Sequence, residues 1–504
     1  MTHTANDLLE VACLSISSWE ILAAMTEALA TRSLDVDLMV RELGNWRTSS
    51  RSGPAYIGLS DAIRLLIIDG RLPVGARLPS ERALADALRV SRTTVTAAYT
   101  QLRDDGYLNA RRGARSTTAL PVAPVAPVRL TSTAANLAAA TLAGPAAALA
   151  RSFADAAEQV TPYLHDIGIE LTGVPALRSA IAERYCARGL PTDPDEIMVT
   201  TGALHAIGLI LATYTQPDDR VLVEQPTYHG ALAAMATRGV RPVPVALAPD
   251  GWEIDAVEAA IRQLTPNLAY LIPDNHNPTG MTMPVADRKR LAQIISENRT
   301  RTIVDETITD MWLDEEVPPP FASVVTARRD LVMTVGSMSK SFWGGLRIGW
   351  IRADRSTLAT IGALRPAIDM GTPIVEQIAA ASLLAAEDEV LPERRDILRS
   401  RRALLLQLLA QHLPDWEPVP GKGGLSLWVR LPAPMSSALS AAASRMGLEI
   451  PPGPRFGLDG TLERFIRVPF TLPDDRLVEA IELLARAWRS VTGLTAPEPT
   501  TVVV

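Results

Sequence analysis

Cysteine is nearly absent, with Cys13 and Cys186 the only two among 504 residues. No disulfide framework holds such a chain together, which points to a fold kept by its own core in a reducing compartment. Missing too is any run of about 20 apolar residues of the kind that crosses a membrane. No basic segment stands ahead of an apolar stretch, as a secretory signal would require. The expectation is a soluble, cytoplasmic protein without membrane contact, and no metal site is expected. Positive charge is also in short supply: the formal net charge is −7, which argues against a polyanionic partner for the chain taken whole.

Charge is local, however. From Arg51 to Thr118 stand 11 Arg and Lys against 6 Asp and Glu, a balance of +5 that leaves −12 for the remainder. A basic module on an acidic body is an asymmetry that matters for phosphate contacts, which respond to local potential. The composition is otherwise that of a globular protein, 47% hydrophobic and 21% charged. At 504 residues the chain is too long for one core and predicts two or three domains.

Punctuation divides it. Residues 1–50 carry little beyond a short amphipathic stretch at Ser18–Ala30 and predict a partly disordered leader. From Tyr56 to Asp69, Ile57, Leu59, Ile63, Leu66 and Ile67 recur at near-helical spacing, with Gly70 and Pro73 ending the helix. Residues 51–118 thus begin a first domain. Prolines at every third position of Leu120–Pro127 favour extended geometry, so residues 119–150 read as a semi-rigid linker. Its Ala-rich end, Ala134–Ala150, predicts a packed or surface helix. Over residues 151–495 helical patterns alternate with short β-rich runs: Ile197–Thr200, Arg220–Glu224, Leu268–Ile272, Thr302–Asp305 and Leu331–Val335. That alternation predicts an α/β domain with a mainly parallel sheet and a smaller C-terminal α+β subdomain, residues 496–504 forming a tail. Ligands of such sheets collect at the carboxyl ends of strands. Thr201-Gly202, Pro273–Gly280, Asp305 and Ser337–Lys340 all fall at such ends.

Within the basic module, Ser80 suits the N-cap of a helix through Leu88, and Ser91 the N-cap of a second. The second helix buries Val95, Ala98, Tyr99 and Leu102 at i, i+3, i+4 and i+7. Its exposed first turn carries Arg92, Thr93 and Thr94, as a recognition helix in a major groove would. Tyr107–Arg115 then fits a small hairpin wing with three arginines. These residues closely resemble the winged helix-turn-helix of the GntR regulator family, from Tyr56 to Thr118. The resemblance implies a double-stranded DNA operator as partner. Arg77, Ser80, Arg82, Ser91, Arg92, Thr93 and Thr94 would face it, with Arg111 and Arg112 on the wing.

In the acidic body, Lys340 ends Gly336-Ser337-Met338-Ser339-Lys340, and Arg347 follows seven positions later. A lysine amine can bond to an aldehyde, while small hydroxyls and an arginine can hold a phosphate. With the motifs already placed, this order resembles the fold-type I aminotransferases over Arg151–Gly493. The resemblance implies pyridoxal 5′-phosphate carried as an aldimine on Lys340. The amides of Ala203 and Leu204 at a helix N-terminus, with Ser337, Ser339 and Arg347, would meet its phosphate. Tyr228 would stack on the ring, Asn277 donate to the phenolic oxygen, Asp305 pair with the pyridine nitrogen, and Arg467 clamp a carboxylate. One departure stands out in Asp305-Glu306-Thr307-Ile308, where the usual tyrosine is missing and Thr307 offers a shorter reach to the phenolic oxygen. The two halves together resemble the MocR family. That resemblance implies a head-to-tail homodimer regulating transcription in response to an amino acid, an amine or the cofactor, with vestigial or partial transaminase chemistry. A catalytically active aminotransferase is the competing expectation, since Asp305, Lys340 and Arg467 are all retained.

Overall fold

The computed structural model describes residues 35–44, 46, 54–68, 72, 76–109, 116–119, 135–419, 421–458 and 460–493. The chain divides into two compact units, the first covering Met1–Thr131 and the second nearly all of Ser132–Val504.

The first unit is helical with a small hairpin. Helix Val36–Leu43 starts at Asp35, whose carboxylate accepts the Asp37 amide at 2.7 Å, and stops at Gly44 with φ 51°. Its Val36, Met39, Val40 and Leu43 repeat at i, i+3, i+4 and i+7, an apolar stripe that needs a core. Met39 and Leu43, with Trp46, are buried against Leu59, Ile63, Leu84 and Leu102. The expected leader of residues 1–50 therefore reaches into this unit's core, while Ser18–Ala30 lies outside the described residues. Helix Ala55–Ile68 turns Leu59, Ile63, Leu66 and Ile67 inward, but Ile57 is 37% exposed because it sits about 200° from Leu59 around the helix. Helices Glu81–Leu88 and Arg92–Asp104 follow, the second burying Val95, Ala98, Tyr99 and Leu102. Strands β1 (Leu108–Asn109) and β2 (Thr117–Thr118) pair antiparallel as a wing. Arg111 and Arg112 lie outside the described residues, as do residues 120–134 of the linker.

The second unit opens with β3 (Ala135–Asn136). The chain then runs without helix to Gly144, and helix Ala146–Gln159 begins only after Pro145. The Ala-rich run is thus half helix, since Gly144-Pro145 breaks it; a Cβ on Gly144 would fall 2.5 Å from Leu149 Cδ1. The main sheet comprises β4 (Ile197–Thr200), β5 (Arg220–Gln225), β6 (Arg241–Ala248), β7 (Gly251–Trp252), β8 (Leu268–Leu271), β9 (Arg301–Asp305), β10 (Val332–Ser337) and β11 (Gly349–Arg352), in the order β4-β11-β10-β9-β8-β5-β6-β7. Pairs β5–β6, β5–β8, β8–β9 and β9–β10 are parallel, whereas β11 runs antiparallel to both neighbours. All five expected strands are present, ending within two residues of their expected limits. Every residue of β4, β8 and β10 is buried, which is why they read as apolar runs: layers cover both sheet faces. A smaller antiparallel sheet of β12 (Glu417–Pro418), β13 (Ser426–Arg430) and β15 (Phe465–Pro469) shares a hydrophobic core with helices Ser436–Arg445 and Asp474–Thr492. Strand β14 (Leu448–Glu449) pairs with β3 in parallel.

Candidate functional site

In the first unit the two cap serines are spent on the backbone. Ser80 Oγ accepts the Ala83 amide at 3.2 Å, and Ser91 Oγ accepts the Thr94 amide at 3.1 Å while bonding the Thr93 and Thr94 hydroxyls. Tyr99 donates to the Pro79 carbonyl at 3.1 Å and Thr96 to Glu81 at 2.8 Å, locking the two helices together. What remains outward is Arg77, Arg82, Arg92 and Thr93, all exposed, with Thr94 half-buried. Among the described residues no salt bridge occupies Arg77, Arg82 or Arg92, and the last two stand in the first turns of their helices.

In the second unit, strand ends converge on a cavity of about 200 Å³ whose lining includes Ala138, Tyr228, Asn277, Ile308, Lys340 and Arg467. Lys340 sits in the turn Ser339–Trp343 that follows β10, and its Nζ donates to the Ala140 carbonyl at 2.9 Å. Burial, reinforced by Arg467, pushes its amine down to about 8, against the pull of Asp305. Arg467 projects from β15 and is 2% exposed. Its Nη2 donates to the Ala138 carbonyl at 2.5 Å, its Nη1 to Asn277 Oδ1 at 3.4 Å, and its Cζ lies 4.9 Å from the centre of the Phe456 ring. No carboxylate pairs with it among the described residues, and burial lowers the guanidinium to about 10.

Asp305 ends β9 fully within the fold. Its Oδ1 accepts the Thr307 amide at 2.9 Å and its Oδ2 the Tyr270 hydroxyl at 2.6 Å. Tyr270 lies opposite Ile303 in the β8–β9 register, so the pleat puts its ring on the same sheet face as Asp305, two residues along. Burial raises the Asp305 carboxyl, and no salt bridge engages it among the described residues. Tyr228 caps helix His229–Arg238 and is half-buried, its phenol raised by burial and by Asp305.

The phosphate candidates separate. Gly202, at φ 90°, precedes helix Ala203–Tyr214, and Arg347 Nη2 donates to Thr201 O at 3.1 Å. A Cβ on Gly202 would stand 2.7 Å from that Nη2, so the guanidinium lies across the helix start only because position 202 has no side chain. The amides of Ala203 and Leu204 open the same helix. Ser337 differs: its hydroxyl donates to the Ile348 carbonyl at 3.2 Å and accepts the Ser339 amide at 3.1 Å. It borders a separate small cavity with Arg184, Glu306 and Asp310. Through these bonds the Ser337 hydroxyl shapes the Lys340 turn. Ser339 is half-buried beside it.

Several residues emerge that the sequence did not single out. His229 lines the cavity, and burial with Arg467 pushes its imidazole down to about 3, so it is neutral. Behind Asn277, buried Glu224 accepts from Trp252 Nε1 at 2.5 Å and from the Ile272 amide at 2.9 Å, with His276 Nε2 3.3 Å away. His205 Nδ1 accepts the Thr201 amide at 3.0 Å and so braces the Gly202 turn. The polar run Asp274–Asn277 after an apolar strand was a readable signal for the Glu224–His276 pair. Tyr270, inside a continuous apolar run, gave none.

The geometry agrees with comparison to known proteins. The pattern of the aminotransferase class I and II family matches residues 146–484. The chain belongs to that family. The pattern of the bacterial regulatory proteins of the gntR family matches residues 56–117. The chain thus fuses a GntR DNA-binding domain to an aminotransferase domain, the MocR arrangement. It is 29% identical over 442 residues to the HTH-type transcriptional regulator YdcR of Escherichia coli, covering 82% of this chain and 94% of that protein. It is 28% identical to the 2-aminoadipate transaminase of Thermus thermophilus, over 68% of this chain and 87% of that one. The α-aminoadipate aminotransferase LysN of T. thermophilus, solved with N-(5′-phosphopyridoxyl)-L-leucine, superposes with a TM-score of 0.66 at 25% identity, covering 72% of this chain and 94% of LysN. Proteins of the family depend on pyridoxal phosphate. Among the described residues no helix is long and apolar enough to cross a membrane.

Proposed function

We propose that this chain is a transcriptional regulator whose aminotransferase domain holds pyridoxal phosphate at Lys340 and senses a small molecule there. One observation carries the reading: a half-buried amine (Lys340) and a buried guanidinium (Arg467) line one cavity, the buried carboxylate of Asp305 acts electrostatically on that amine, and none of the three has a salt-bridge partner among the described residues. Uncompensated buried charge is costly unless a ligand completes it. The residues present fit pyridoxal phosphate, a ligand with an aldehyde, a basic ring nitrogen and a phosphate. Bound there, it supplies an electrophilic carbon and an electron-withdrawing ring.

The chain's own groups divide the work. Asp305, steadied by Tyr270 and the Thr307 amide, holds a proton on the ring nitrogen. Arg347, the Ala203 and Leu204 amides and Ser339 take the phosphate at the helix N-terminus. Tyr228 covers the ring. Asn277 turns Oδ1 to Arg467, which leaves its amide nitrogen for the phenolic oxygen, with Thr307 nearby. Arg467 binds a carboxylate on the effector, which favours an amino acid over a simple amine. Leu164, Ile167, Leu204, Ile368 and Met370 are large apolar side chains exposed on the second unit. Exposed apolar surface of this kind supports a head-to-tail homodimer. Arg77, Arg82, Arg92, Thr93 and Thr94 meet the operator, Arg92 and Thr93 from the exposed turn of the recognition helix.

The second reading, a working aminotransferase, is favoured by the same retained trio. The discriminating experiment measures binding of promoter fragments by the full chain with and without pyridoxal phosphate, beside steady-state amino-group transfer over an amino-acid panel. Sequence-specific binding that changes with the cofactor is expected. Robust turnover with no specific DNA binding would overturn the regulator.

A further inference from the structure

One wall of the cavity is the strap Ala138–Gly144, between β3 and helix Ala146–Gln159. Buried Leu137 and Leu142 peg it to the core, but alanines make up most of the rest, so its carbonyls provide the grip. Three of them accept from cations: Ala138 from Arg467 Nη2 at 2.5 Å, Ala140 from Lys340 Nζ at 2.9 Å, and Ala143 from Arg394 Nη1 at 2.9 Å. The first two donors are the groups that the proposed ligands need. Resting on the function proposed above, we propose that Ala138–Gly144 is a latch whose carbonyls hold the same two cations that the proposed ligands need, and that filling the site releases it. Condensing with an aldehyde, the unprotonated Lys340 amine forms a C=N bond. Its two hydrogens leave with the aldehyde oxygen as water, so the N–H bond to Ala140 is lost. A carboxylate is a stronger acceptor for a guanidinium than a neutral carbonyl, so an effector displaces Ala138 from Arg467. Arg394 lies outside the cavity lining and keeps its tether. In sequence only β3 and Leu137 separate the latch from residues 120–134, where the chain passes from the first unit to the second, so its release is passed on by chain continuity.

Hydrogen exchange of the full-length chain tests this on peptides spanning residues 137–145, before and after pyridoxal phosphate, with the visible absorption of each sample recorded. Loss of one such hydrogen bond is expected to speed strap exchange about five- to tenfold, leaving β8, β9 and β10 protected. In cofactor-free protein, Arg467→Gln and Lys340→Met are each expected to do the same, with protection of those strands reporting an intact fold. An absorption band with unchanged or slower strap exchange overturns the latch while leaving the proposed function standing. Variants that fold yet leave the strap unaltered also overturn it. Absence of the band overturns the proposed function and the latch with it.

Discussion

Tyr270→Phe removes one oxygen from a position that never lines the cavity, and it is expected to weaken cofactor binding nonetheless. The Tyr270 hydroxyl donates to Asp305 at 2.6 Å, both residues being buried. Hydrogen bonds to a charged group are worth about 1.5–3 kcal/mol. The Thr307 amide at 2.9 Å remains as a second donor, so the lower half of that range applies. A loss of about 1.5–2 kcal/mol is about 10- to 30-fold in affinity. The sign follows from burial, which already raises the Asp305 carboxyl; without the phenol it protonates at higher pH and no longer holds a cationic ring nitrogen. The deficit should therefore widen as pH falls. Equilibrium titration of the full-length protein with pyridoxal phosphate, followed by tryptophan quenching from pH 8.5 down to pH 6, measures it. A dissociation constant within twofold of the wild type at every pH, in a folded variant, would refute the reasoning.

Arg92→Ala, at the exposed turn of the recognition helix, should weaken specific operator binding by about 1–3 kcal/mol if the contact is to a base edge; fluorescence anisotropy across salt concentrations reads it. Gly202→Ala places a Cβ at φ 90° and 2.7 Å from Arg347 Nη2, so it should cost about 1–3 kcal/mol of stability and loosen cofactor binding; an unchanged melting temperature and affinity would contradict the assignment. Lys340, with its amine at about 8, is nucleophilic only when unprotonated. The rate of cofactor uptake should therefore rise with pH and level off above about 8, whereas a rise continuing towards 10 would contradict a buried amine.

Much of this was legible in the chain. Cap serines, the buried stripe Val95–Leu102 and the five apolar strands are local patterns, and local patterns survive folding. The order Tyr228, Asn277, Asp305, Lys340 was legible because parallel strands present their carboxyl ends together, whereas Arg467 comes from β15 of the smaller antiparallel sheet. What escaped were effects that depend on register or tertiary hydrogen bonds. Tyr270 meets Asp305 only through the β8–β9 alignment, and the Ile348 carbonyl folds back onto the Ser337 hydroxyl from eleven residues away. The Ala-rich run was misjudged because composition favours helix, while Gly144-Pro145 and three cations hold its first half extended. Helix Val36–Leu43 shows that an apolar stripe only eight residues long is meaningful once a core receives it.

Borohydride reduction of the full-length protein after incubation with pyridoxal phosphate, followed by peptide mass mapping, bears most directly on the site. A phosphopyridoxyl group fixed on Lys340, and lost in Lys340→Ala, is the predicted result. Labelling scattered over surface lysines such as Lys289 and Lys422, with Lys340 unmodified, would contradict the account.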